Sequence, residues 1–89
     1  MPKYMVEMSH TLRECAWALK TLHDQGPSFL AQFDWGCKDG EHIGWAIVEA
    51  ENKFHAQELV PRILRPKTRI VELCQFTPEQ VQMLHEAQT

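Results

Sequence analysis

Asp39-Gly40 stands between two runs rich in strand formers, and that step constrains this chain more than any other feature. Asp-Gly suits a two-residue type I′ turn, whose central positions both need positive φ. With SFLAQFDWGCK before it and EHIGWAIVEA after it, the step predicts a β-hairpin. A two-residue turn sets Lys38 opposite Glu41, Cys37 opposite His42, Trp35 opposite Gly44, Asp34 opposite Trp45 and Gln32 opposite Ile47. Side chains alternate along a strand, so this register gives every residue a face. One face carries Ala31, Phe33, Trp35 and Cys37 beside His42, Gly44, Ala46, Val48 and Ala50, as expected beneath packed helices. Trp35 on that face covers Gly44, a strand glycine that otherwise weakens pairing. The other face carries Leu30, Gln32 and Asp34 beside Ile43, Trp45, Ile47 and Glu49, too polar for a closed core and too apolar for plain solvent.

The rest of the chain supplies what the hairpin packs against. KYMVEMSH partly alternates and predicts a strand ending near Ser9. TLRECAWALKTLHDQG has Leu12, Cys15, Ala16, Leu19 and Leu22 at helical spacing, with Ser9 or Thr11 as cap and Gly26-Pro27 as stop. ENKFHAQELV predicts a short helix carrying Phe54, Leu59 and Val60, limited by Pro61 and Pro66. KTRIVELCQF reads as a fourth strand, and TPEQVQMLHEAQ opens with a capping box and proline at the first helical position. The order is strand, helix, strand, strand, helix, strand and a terminal helix. It predicts an α+β fold of the ferredoxin-like βαββαβ type, one domain across residues 1–89. Right-handed crossovers then give a four-stranded antiparallel sheet of order 4-1-3-2, with the helices on one face and the other bare. A register with Glu7 opposite Trp45 also sets Met5 against Ile47 and Lys3 against Glu49.

Charge and cysteine usage exclude several classes of function. The 89 residues carry a net charge of −3 with acids and bases mixed, unlike the clustered basic face of a nucleic-acid binder. The only basic cluster, Arg62, Arg65, Lys67 and Arg69, reads as a solvated loop before the fourth strand. Cys15, Cys37 and Cys74 are odd in number and lack CxxC spacing, against a disulfide framework. MPKYMVEMSH lacks the features of a signal peptide, and no apolar run has bilayer-spanning length. A reduced, cytoplasmic chain without membrane or nucleic-acid partners is expected.

Two constellations carry chemistry. On the bare face, Glu7, Trp45 and Asp34 form a row across three strands, with Met5, Ile47 and Gln32 beside it. Covered by a second copy, this row makes a small-molecule cavity, with Trp45, Ile47, Met5 and Gln32 as ligand-binding residues. An indole beside carboxylates holds a cationic or polar ligand. Alternatively Asp34 or Glu7 acts as a general base. The plain alternative is a dimer seam of Trp45 and Ile47, with both carboxylates solvated at its rim. At the top of the sheet, on the helix side, His10, Cys37 and His42 converge. Cysteine and histidine ligate zinc or nickel and also make nucleophile–base pairs. No CxxC or HExxH repeat marks the site, and buried filler is the competing reading for Cys37.

The runs FDWGCKDGEHIGWAIVEAEN and ELVPRILRPKTRIVELCQFTPEQV resemble small bacterial proteins of unknown function in the dimeric α/β-barrel superfamily. The resemblance lies in the order of elements and in the GWAIVEA strand, and it carries no catalytic motif. It implies a homodimer with two sheets face to face and a cavity in each subunit. Members include cofactor-free monooxygenases, isomerases and simple ligand binders, so a shared fold does not select the activity.

Overall fold

The computed structural model describes residues 1–88. Four strands, β1 (Lys3–Ser9), β2 (Asp34–Trp35), β3 (Ile43–Glu49) and β4 (Thr68–Leu73), form one sheet. Its order is β2-β3-β1-β4, which counted from the β4 edge runs 4-1-3-2, and all neighbours are antiparallel. Four helices, α1 (Cys15–Gln25), α2 (Pro27–Leu30), α3 (Lys53–Glu58) and α4 (Pro78–Gln88), complete an α+β architecture. Among the described residues no helix is long and apolar enough to cross a membrane.

Alternation decides which side of the sheet is covered. Tyr4, Val6 and Met8 of β1, Ala46 and Val48 of β3 and Ile70 of β4 are buried. They share one core with Ala18 and Leu22 of α1, Phe29 of α2 and Ala56 of α3. The odd-numbered residues of β1, β3 and β4 point the other way, where no helix lies over them. The β1–β3 register is Glu7 to Trp45, Met5 to Ile47 and Lys3 to Glu49, the one considered from the sequence, although alternation alone also allows a slip of two residues.

Helix α1 begins after a 3₁₀ turn, Leu12–Glu14, whose start is a capping box between Thr11 and Glu14. The helix stops at Gly26, as expected, but its buried stripe is narrower than the sequence predicts. Ala18 and Leu22 are sealed, while Leu12 is 73% exposed because it precedes the helix proper. In α3 the buried residues are Ala56 and, just beyond it, Val60, and Phe54 turns to solvent.

Two corrections concern the hairpin. The predicted first arm, SFLAQFDWGCK, is not one strand. Pro27–Leu30 is a helical turn, and only Asp34 and Trp35 pair with β3. Pro27 stands at the first helical position, and Phe29 and Phe33 meet edge to face at 4.9 Å. Phe29, Ala31 and Phe33 alternate with period two, but Phe29 and Phe33 also stand four apart, so period two and a helical turn fit the same letters. The element order consequently gains a helix over the predicted one.

The tip is also not a two-residue turn. Cys37–Asp39 form a 3₁₀ turn that ends at Gly40, the one described residue with positive φ, at 86°. The amides of Asp39 and Glu41 both donate to the carbonyl of Gly36, at 2.9 and 3.0 Å. A Cβ on Gly36 would meet the Glu41 carbonyl at 2.8 Å, so glycine is required for so tight a fold. Asp34–Trp45 and Trp35–Gly44 keep the predicted register. Cys37–His42, Lys38–Glu41 and Gln32–Ile47 are not ladder pairs, because the turn and the helical segment take those residues out of the strand.

Helix α4 is capped as its sequence predicts. The Thr77 amide donates to Gln80 Oε1 at 2.8 Å, and the Gln80 amide donates to Thr77 Oγ1 at 3.1 Å. None of its residues is buried. Thr77→Ala is therefore expected to weaken α4 locally by about 1 kcal/mol. Amide exchange across residues 78–84 should quicken while the melting temperature of the domain stays put. A global destabilisation would show that α4 is part of the cooperative core.

Candidate functional site

Each face of the sheet collects its own set of reactive side chains. On the open face the three registers align Arg69 of β4, Glu7 of β1, Trp45 of β3 and Asp34 of β2 in one row across the whole sheet. Trp45 donates its indole N–H to Glu7 Oε1 at 3.2 Å, and Arg69 donates Nε–H to Glu7 Oε2 at 3.2 Å. Both carboxylate oxygens of Glu7 thus accept a hydrogen bond. The pairing with Arg69 adds little stability, since the arginine is 70% exposed. What it does is give the second carboxylate oxygen of Glu7 a partner.

Beside this row lies a concavity of about 350 Å³ lined by Met5, Gln32, Asp34, Trp45, Ala46 and Ile47. The structure therefore brings Trp45, Ile47, Met5 and Gln32 together with Asp34, although Gln32 reaches it from the segment after α2 and not from a strand. Glu7 stands one strand away across the indole. Ile47 is 56% and Val71 38% exposed, so the middle of this face is apolar and uncovered.

Arg69 was not singled out as a site residue by the sequence. Its outward position follows from the alternation Arg69, Val71, Leu73, but its placement opposite Glu7 needed the β1–β4 register, which no tight turn dictates. Two others of the basic cluster are also engaged. Lys67 Nζ is 2.7 Å from Glu14 Oε2, and the Arg65 Nε–H donates to the Val60 carbonyl at 3.0 Å.

On the helix side, at the top of the sheet, His10, Cys37 and His42 come together as expected, and Cys15 joins them. The His10 amide donates to the His42 carbonyl at 3.0 Å, which extends the β1–β3 ladder and brings the two rings to 5.4 Å. His10 is buried, and its Nε2 approaches Cys37 Sγ at 3.5 Å. The 3₁₀ turn that removes Cys37 from the strand is what aims its sulfur at this ring. Cys15 opens α1, five residues after His10, and the short capped connection keeps it at the same end of the sheet. The sequence offered Cys15 only as part of an apolar stripe. The signal that could have found it is its position at the first helical residue next to the strand end.

Partial burial shapes the electrostatics of this corner. Burial, followed by the neighbouring His42, holds His10 below its ordinary range, which favours the neutral imidazole. Burial and then Cys15 push the Cys37 thiol up. Among the described residues the Nδ1 atoms of His10 and His42 are buried with no hydrogen-bond partner. Next to the cluster, hydrogen bonds from Lys67 and then from the Thr11 amide hold Glu14 down at about 2.

No family model, curated protein or solved structure matches this chain. Its function is argued from the geometry.

Proposed function

We propose that this chain is a ferredoxin-like domain of the dimeric α/β-barrel kind, and that two copies meet through their open sheet faces to enclose a small-molecule pocket at Trp45. One observation carries the reading: the outward charges are arranged to match themselves. The rows run Arg69, Glu7, Trp45, Asp34, then Val71, Met5, Ile47, then Leu73, Lys3, Glu49. A two-fold axis parallel to the strands, between β1 and β3, sets β4 over β2 and β1 over β3 of a second copy. Arg69 then faces the second copy's Asp34, Lys3 faces its Glu49, and Met5 faces its Ile47. An isologous contact requires this kind of self-complementarity. The alternative axis, across the strands, sets Arg69 over Leu73 and gives it no acid from the second copy.

Closing the faces converts the Trp45 concavity into a lined pocket, with an aromatic wall and the Asp34 carboxylate at its rim. That chemistry suits a small cation or a polar aromatic molecule. A binding role is preferred over general-base catalysis because both Glu7 oxygens already accept hydrogen bonds.

Sedimentation tests the pairing. Wild type is expected to dimerise, and Arg69→Asp alone or Asp34→Arg alone should weaken dimerisation at least about tenfold. The double exchange should restore it. A monomeric wild type, or single variants that dimerise as tightly as wild type, would sink the reading. For the ligand, a screen of small cations and aromatics should raise the melting temperature of wild type and leave Trp45→Ala unmoved.

A further inference from the structure

We propose that His10, Cys15, Cys37 and His42 form a structural zinc site that fastens the hairpin tip to the end of β1 and the start of α1. The site lies on the helix side of the sheet, so it stands independently of how the open face is used.

One atom from each residue contributes, and these four atoms lie within 4.8 Å of one another. Zinc with sulfur at about 2.3 Å and nitrogen at about 2.0–2.1 Å holds tetrahedral ligand atoms roughly 3.3–3.8 Å apart. Closure by about 1 Å is within the reach of small side-chain rotations. The Cys37–His10 pair is already at 3.5 Å.

The two orphan imidazole nitrogens point the same way. A buried polar atom without a partner is a cost that a folded chain rarely carries. Here there are two, one on each histidine of the cluster. Ligation through Nδ1 satisfies the one on His42, while His10 would ligate through Nε2, the nitrogen that already faces Cys37 Sγ at 3.5 Å.

Donor type selects the ion. Two thiolates and two imidazoles favour zinc over magnesium or calcium, which take oxygen ligands. Charge balances: zinc brings two positive charges, the two thiols release their protons to solvent, and the imidazoles bind neutral. The resulting centre carries no net charge, which suits a half-buried corner. With four protein ligands no coordination position is left for a substrate water, so the ion serves the fold and not a reaction.

The local structure shows what the ion would add. β2 has only two residues, and Lys38, Asp39, Gly40 and Glu41 at the tip are all exposed. Beyond Trp35, which packs against the core, little apolar surface anchors the tip of this hairpin, and small domains commonly use a metal where the core falls short.

The test titrates cobalt(II) into untagged chain stripped with a chelator. The expected result is one cobalt per chain, with the strong d–d bands of a tetrahedral ion and a thiolate-to-cobalt charge-transfer band. Zinc should displace the cobalt, and loading zinc into stripped chain should release about two protons per ion. At a thousandfold excess over its Kd zinc should raise the melting temperature by more than about 10 °C, and magnesium should not. Cys74→Ser, at an exposed cysteine outside the cluster, should bind cobalt as wild type does. Cys15→Ser and Cys37→Ser should each weaken binding by more than about a hundredfold. A weak octahedral spectrum without charge transfer in wild type overturns the proposal, whatever the folding of the variants. So does a wild-type spectrum that Cys37→Ser retains.

Discussion

Gly44→Ala is expected to destabilise the domain by about 1–3 kcal/mol, with a valine at that site costing more. A Cβ at Gly44 would lie 2.5 Å from Cε3 and Cζ3 of Trp35 and 2.8 Å from Cη2. Those are three atoms of one rigid ring, so no flexible end can step aside. The ring cannot easily retreat either: Trp35 stacks on Phe33 at 5.2 Å and 24°, and Phe33 abuts Phe29. His10 flanks the same indole at 5.8 Å. The substitution therefore pushes on α2 and on His10 together. For a domain of this size the melting temperature falls roughly 4–8 °C per kcal/mol, so thermal unfolding reads the effect directly. Trp35→Leu in the same chain should return part of the loss, since the two positions share one space. A Gly44→Ala protein as stable as wild type would show that the indole does not cover this glycine in solution. Gly40 makes the useful contrast. Its Cβ would meet nothing within 4 Å, and an alanine there suffers only from the positive φ.

The second large effect is expected from Leu64→Ala, at about 2–5 kcal/mol. Leu64 is fully buried in the 3₁₀ segment Arg62–Lys67 that leads into β4. Its carbonyl accepts the Thr68 hydroxyl at 2.7 Å, so the side chain and the backbone around it hold one bend. Losing the side chain leaves a cavity under the sheet and loosens Lys67, the partner of Glu14. A chain of 89 residues has total stability of only about 4–13 kcal/mol, so this single change removes a large share. Urea unfolding should show a lower midpoint with an unchanged slope. Ile63→Ala, one residue away and 56% exposed, should be nearly silent. Equal losses at the two positions would contradict the packing described here.

Much of the open-face row was legible because a strand has a strict period of two. Once β1 and β3 pair antiparallel, one correct contact, Glu7 with Trp45, fixes the face of every residue on both strands. The capping box at Thr77 was legible for a related reason, since both partners lie within three residues, whereas for the first helix the sequence left Ser9 and Thr11 both open and the structure selects Thr11. The segment from Pro27 to Phe33 was not legible, because Phe29 and Phe33, four positions apart, fit one face of a strand and of a helical turn equally well. Tertiary packing of Phe29 into the core chose the turn.

The amino-acid order alone thus settled what local and periodic rules can settle: the cap at Thr77, the outward faces of β1 and β3, and the glycine under Trp35. Only the folded chain decided that Cys15 joins His10, Cys37 and His42, and that Arg69 reaches Glu7 from β4. Those partners are separated by 5 to 62 positions and belong to different elements. Their meeting depends on how a helix docks and on a register without a tight turn to set it, and neither quantity is written in a short window of sequence.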